Sequence, residues 1–220
     1  MKPAPLTCPA ARRATLGLSA REYAQLERQT TPRRIQAFVN AIPSNHEPDG
    51  ATVLSVREVL RQRRAHCIEG AFVAACALWV QGAPPLVMHM DCDARDDPHV
   101  VALFRTRSGW GAISKSNGVA LRFRDPVYRT LRELALSYFH EYFDRRGLKT
   151  LRSYSGAFDL RRVDPAQWVT STDDCHAVHD RLADLRHHAL LTPRQEALLA
   201  RRDRFERKAA RLVEHPRPDR

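Results

Sequence analysis

The stretch His66-Cys67-Ile68-Glu69-Gly70-Ala71-Phe72-Val73-Ala74-Ala75-Cys76-Ala77-Leu78-Trp79-Val80 decides the fold. From Ile68 onward it is apolar almost all round and rich in Ala. A helix of that composition has no face for water and belongs in the middle of a core. Gly82 ends it, with Pro84 and Pro85 beyond. Upstream, between Ser55 and Arg64, the positions Val56, Val59 and Leu60 repeat at helical spacing and predict a short amphipathic helix. A basic break, Arg61 to Ala65, separates the two helices, so Cys67 opens the buried one.

Downstream the period changes. Leu86 to Met90, His99 to Arg105 and Gly109 to Ser114 are dominated by Val, Ile, Phe and Trp, and Ser108-Gly109 is a turn signal between the last two. An antiparallel sheet with a hairpin follows, and with it an α+β fold in which the Cys-led helix packs on a small sheet. Tyr128 to Phe143 predicts a helix with Leu131, Leu134, Ala135 and Tyr138 on one stripe, stopping near Gly147. Ala157 to Arg161 suggests a further strand. Two closing helices are expected, about Asp173 to Leu190 and Pro193 to Glu214, the second announced by Thr192, Pro193 and Gln195.

Before the central region, Ser19 stands three residues ahead of Glu22, a capping-box spacing for a helix over Ala20 to Gln29. Another begins near Thr31-Pro32, with Ile35, Phe38 and Val39 on one face, and Pro43 to Gly50 reads as a loop. Residues 1–18 are Pro/Ala/Arg-rich and predicted to be an ill-ordered tail, 19–170 the α+β domain, and 171–215 a helical extension packed on it. Met1 to Arg13 lacks the apolar region of a secretory signal. The apolar run Ala71 to Val87 is interrupted and too short to span a bilayer. Five irregularly spaced cysteines in 220 residues predict reduced thiols and a cytoplasmic protein.

The net charge of +11 and pI near 10.1 would by themselves suggest a polyanion partner. The basic residues are nearly all Arg, however, with Lys confined to Lys2, Lys115, Lys149 and Lys208. Together with abundant Ala, that is the codon bias of a GC-rich, bacterial genome, and nucleic acid is not the expected partner.

A thiol in the first turn of a helix meets partial positive charge and unpaired N–H groups, which favour thiolate. The same N–H groups can receive the oxyanion formed when a thiolate attacks a carbonyl. Cys67 holds that position, and His99, leading a neighbouring strand, is placed to be its base. Without such a partner, a lone cysteine here would be a small buried hydrophobe.

The order and flanks of these residues resemble the transglutaminase-like superfamily, relatives of papain-type cysteine peptidases. Cys67, Glu69 and Gly70 match its helix-leading block, His99 before Val100-Val101 its strand-leading His, and Trp110 the Trp of the next strand. The resemblance covers roughly Val53 to Phe143 and implies a Cys67/His99 pair. One departure stands out: four residues after Trp110, where the family carries an Asp that orients the His, this chain has Ser114, which can accept a hydrogen bond but brings no charge. Asn117 is the other candidate, because an amide fills this role in papain-like sites. A two- or four-residue hairpin loop turns Ser114 and Ser116 toward His99, whereas a three-residue loop turns Lys115 and Asn117 there. An Asp from Asp91, Asp93, Asp96 or Asp97 is a further candidate partner. Gln62 resembles in placement the Gln that helps form the oxyanion hole in papain-like enzymes, and Trp110 is a candidate support.

The reaction implied is acyl transfer at an amide or ester through a thioester, hydrolysis rather than cross-linking, on a peptide, protein or small amide substrate, with no cofactor. The alternative is a catalytically silent domain that binds a peptide or partner in the same cleft, which Ser114 favours. Cys175, His176 and His179, and the pair His89 and Cys92, are the candidate metal ligands, but neither has the paired spacing of a structural zinc site, and no metal is expected. His140 reads as a core or rim residue. In the Arg-rich last helix, Leu198, Leu199, Phe205 and Leu212 are expected to dock on the domain.

Overall fold

The computed structural model describes residues 9–48 and 50–217. The helix opened by Cys67 is α5 (Cys67–Val80), in which every residue from Ile68 to Val80 is buried. Helices α2 (Ala20–Glu27), α3 (Pro32–Asn40) and α4 (Val56–Gln62) pack on one side of it. Each starts where its cap places it. Ser19 and Glu22 form the capping box of α2, Thr31 caps α3 ahead of Pro32, and Ser55 caps α4.

The other side of α5 lies on a sheet of β1 (Leu86–Cys92), β2 (His99–Arg105), β3 (Trp110–Ile113), β4 (Arg124–Tyr128), β5 (Leu151–Ser155), β6 (Phe158–Asp159) and β7 (His187–Ala189). The order is β4-β3-β2-β1-β5-β7, with β6 on the start of β1, and every pairing is antiparallel. Val87, Val100, Ala102 and Phe104 face α5, whereas Met88, Met90, Val101 and Leu103 face a second core closed by α6 (Leu131–Phe139). The sheet is thus covered on both faces, and its central strand β2 is buried from His99 to Phe104. Behind α5, Trp168 stacks on Trp79 at 6.2 Å between centroids and tilts against Phe72 at 5.8 Å. The α+β class and the Cys-led helix on a sheet follow the sequence expectation.

Several elements differ from it. Pro9–Leu16, within the stretch read as an ill-ordered tail, is helix α1, and Leu16 and Leu18 are buried in the core beside α5; residues 1–8 lie outside those described. The helix expected from Tyr128 begins only at Leu131, because Tyr128 pairs with Trp110 in β4 and Thr130 supplies the cap. The expected helix Asp173 to Leu190 is α7 (His176–Ala183) followed by β7, which extends the sheet through β5. The last expected helix is broken into α8 (Pro193–Ala197) and α9 (Arg204–Ala209). Leu199 packs on the second core, but Leu198, Phe205 and Leu212 are exposed rather than docked. Arg202 anchors the segment instead: it lies over the Phe143 ring at 4.8 Å and donates to the His140 carbonyl at the end of α6. Among the described residues no helix is long and apolar enough to cross a membrane.

Candidate active site

Antiparallel pairing brings the start of β2 and the end of β3 to the same end of the sheet, where the amino terminus of α5 also arrives. The β2–β3 register pairs Arg105 with Trp110, leaving a four-residue loop, Thr106 to Gly109. Of the two faces left open by the sequence, this register selects the one that carries Ser114. His99 Nε2 lies 2.7 Å from Ser114 Oγ, and Ser114 Oγ donates in turn to the Leu121 carbonyl at 2.5 Å. The hydroxyl has one hydrogen and gives it to Leu121, so toward His99 it accepts, and His99 carries its hydrogen on Nε2. Nδ1 is left as the nitrogen for the sulfur or for substrate. Leu121 sits in the left-handed region at φ 57°, held by Ser114 on its carbonyl and by Glu141 Oε2 on its N–H at 2.6 Å.

The main chain at Ser114 is clamped. Gln36 of α3 accepts from Ser114 N–H at 2.9 Å and donates to Ser114 C=O at 2.8 Å, all of it buried. Next door, Lys115 is 1% exposed. Its ammonium reaches the Ile42 carbonyl and, at 3.4 Å, that of Asn40. Burial depresses its pKa to about 8. The Lys115 stem crosses α5 at Gly70, where an added Cβ would stand 2.3 Å from Lys115 Cβ. The Gly of the helix-leading motif is therefore a steric requirement: it lets the strand carrying the His partner approach the helix carrying the Cys.

Cys67 Sγ lies 4.0 Å from the Pro98 carbonyl and 3.9 Å from His66 Nδ1. Burial alone would raise its pKa, but hydrogen bonding and positive charge from His66 and His99 outweigh that and hold the thiol well below its ordinary value. The other described cysteines contrast with it: burial pushes Cys92 and Cys175 up to about 12, and Cys76 higher still. Tyr142 is buried near Cys67, donates to the Asp97 carbonyl at 3.4 Å and is kept neutral by burial.

Glu69, one turn into α5, is fully buried and surrounded by donors. Asn45 Nδ2 at 3.1 Å, Thr52 Oγ1 at 2.9 Å, Leu54 N–H at 2.9 Å and His66 N–H at 2.8 Å all point at its carboxylate. This carboxylate ties the loop after α3 to the amino end of α5 and fixes how the chain enters the helix.

The other sequence candidates lie elsewhere. Asn117 spends both side-chain atoms on the main chain of His215, at 3.0 and 2.8 Å, pinning the carboxy-terminal segment. Gln62 donates to Glu58 and accepts from Arg64. Trp110 pairs with Arg105, six residues up β2 from His99, about 20 Å at the rise of a strand; its indole lies beneath the Arg105 guanidinium at 5.1 Å. Asp93 pairs with Arg95 and Arg152, and Asp96 accepts from Thr150. Cys175 is buried and His176 exposed, His140 caps the end of α6, and His89 Nδ1 meets His187 Nε2 at 2.8 Å. Among the described residues no three His, Cys, Asp or Glu side chains are arranged to hold a metal ion.

The residues that composition and spacing left without a role are His66, Gln36 and Asn45. Only His66 had a local signal, a His directly ahead of a helix-leading Cys with an acid three positions on.

The chain matches no protein-family model and no curated protein. Two solved structures of LapG from Legionella pneumophila, one of them EGTA-treated, are similar to it at 16% identity and a TM-score of 0.35; they cover 50% of this chain, which spans 72% and 74% of theirs.

Proposed function

We propose that the protein is a cysteine acyltransferase of hydrolytic type, acting on an amide or ester carbonyl through a thioester on Cys67. What supports this above all is the placement of one sulfur at the amino end of a buried helix, with its thiol held down by two histidines. The proton of Cys67 passes to His99, and the thiolate adds to the carbonyl carbon. The helix pattern leaves the N–H groups of the first turn of α5 without intrahelical acceptors, so they are available to the oxyanion. Collapse of the adduct breaks the bond to the leaving nitrogen or oxygen, which takes the proton from His99. Water then gives a proton to His99 and its oxygen to the acyl carbon, the C–S bond breaks, and the thiolate returns. Ser114 orients the imidazole through Nε2 but adds no charge behind it.

The uncharged hydroxyl at residue 114 also supports a second reading, a silent cleft that binds peptide without turnover. An activated ester such as p-nitrophenyl acetate separates the two. The enzyme reading expects a burst of nitrophenolate and an acetyl group on Cys67 by peptide mass mapping, both lost in Cys67→Ala. Acetylation of Cys67 no faster than of the other thiols would remove the acyltransferase and leave the binding module.

A further inference from the structure

The His66 ring is held in one orientation. Its Nε2 lies 2.8 Å from the Thr52 carbonyl, which can only accept, so Nε2 carries a hydrogen. The same nitrogen is 3.3 Å from Glu69 Oε1 and 3.7 Å from Glu47 Oε1. Glu47 is itself fixed by the N–H of Thr52 at 2.8 Å. That arrangement leaves Nδ1 facing Cys67 Sγ at 3.9 Å.

We propose that His66 is a second catalytic histidine, a standing imidazolium neutralised by Glu69 whose Nδ1–H stabilises the Cys67 thiolate. It thereby stabilises the thiolate–imidazolium pair from the nucleophile's side, with a positive charge next to the sulfur, where residue 114 offers no negative charge behind His99. The inference rests on the reading of Cys67 as the nucleophile. His66 gives up no proton in the cycle; its proton comes from solvent and stays, while the proton of the thiol moves to His99. The charges then balance in two pairs, Glu69 with His66 and the thiolate with protonated His99. A thiolate between two imidazolium rings needs no carboxylate behind the base to be populated at neutral pH.

The groups facing this pair are few. Glu69 comes from α5, Glu47 from the loop after α3, His99 from β2 and Tyr142, held neutral, from beyond α6. Burial works against the charge on His66, but the hydrogen bond and charge of Cys67, the charge of Glu69 and the bond to Thr52 raise its pKa to about 9. A raised histidine stabilises the fold fully below its ordinary value near 6.5 and loses that contribution as pH rises through about 9. The imidazolium therefore stands throughout the neutral range.

Two measurements test this on the full-length protein. Alkylation of Cys67 by iodoacetamide is followed against pH in the wild type and in His66→Gln, with folding checked by circular dichroism. The proton of His66 is titrated by NMR in the wild type and in Cys67→Ser. His66→Gln is expected to move the inflection upward by about one unit or more, slowing alkylation about tenfold at pH values below the wild-type inflection. The His66 titration is expected near 9 in the wild type and lower in Cys67→Ser, a result that stands even if His66→Gln does not fold. An ordinary histidine titration in the wild type, or an inflection unmoved in a folded His66→Gln, overturns the role of His66 alone. An ordinary thiol profile in the wild type overturns the nucleophile itself.

Discussion

Glu69→Ala is expected to cost about 3–5 kcal/mol of stability, the range for removing one partner from a buried charged network. The carboxylate is fully buried and accepts from Asn45, Thr52, Leu54 and His66, so truncation strands donors from three segments, among them the buried Asn45 and Leu54. Glu69→Gln is the sharper variant. It keeps the size, but its NH2 would face donors only, and a large part of the loss is expected to remain. Denaturant midpoints measure both. Either variant also releases the entry to α5, so the fast alkylation of Cys67 is expected to fall with stability. A Glu69→Gln protein as stable as wild type would mean that these contacts do not organise the site.

Ser114→Asp is expected to be harmful, although it would put a carboxylate next to His99. Oγ has 2.5 Å to the Leu121 carbonyl and 2.7 Å to His99, and Gln36 clamps the main chain so that it cannot retreat. One carboxylate oxygen could meet His99, but the other would press against a carbonyl oxygen in a position with no exposure. A loss of about 2–4 kcal/mol follows from a buried, half-satisfied charge. Ser114→Ala, which leaves the Leu121 carbonyl and the His99 N–H unpaired, is expected to cost about 1–3 kcal/mol. An Asp variant with undiminished stability and faster ester turnover would show that the site is a damaged triad rather than one built around a hydroxyl.

The elements legible in the sequence were those with strong periodicity or a cap. α5 was marked by its unbroken apolar run, α2 and α3 by Ser19, Glu22, Thr31 and Pro32, and β2 by a run of branched and aromatic residues with the same bounds in the structure. β4 was hidden because Arg124 to Tyr128 includes Asp125 and Pro126 and is only partly buried, as an edge strand is, which leaves no alternating apolar signal. β7 is a strand because β5 offers it an edge: Ser155 opposite His187 and Ser153 opposite Ala189 are tertiary facts that propensity over three residues cannot carry. The exposed Leu198 and Phe205 show the converse, an apolar spacing with no surface to bury it.

At the site, Cys67 and His99 could be picked out one by one, since each opens its own element. The choice between Ser114 and Asn117 needed the length of the hairpin loop, which pairing of Arg105 with Trp110 settles. The setting of His66 was out of reach, because it depends on Thr52 and Glu47 arriving from a loop whose path no local pattern encodes.

Whether Cys67 is an activated nucleophile can be read by comparing two thiols of the same chain. Cys67 and Cys92 are both half-buried, but one is held well below the ordinary thiol range while burial and acidic neighbours push the other up to about 12. Residue-resolved alkylation near pH 6 reads the difference. An ordinary thiol is only a fraction of a percent thiolate there, and after allowing for the weaker nucleophilicity of a low-pKa sulfur, Cys67 is expected to react about tenfold faster or more. Alkylation of Cys67 at or below the rate of Cys92 would mean that the helix-leading thiol is not activated and that the acyl-transfer reading is wrong.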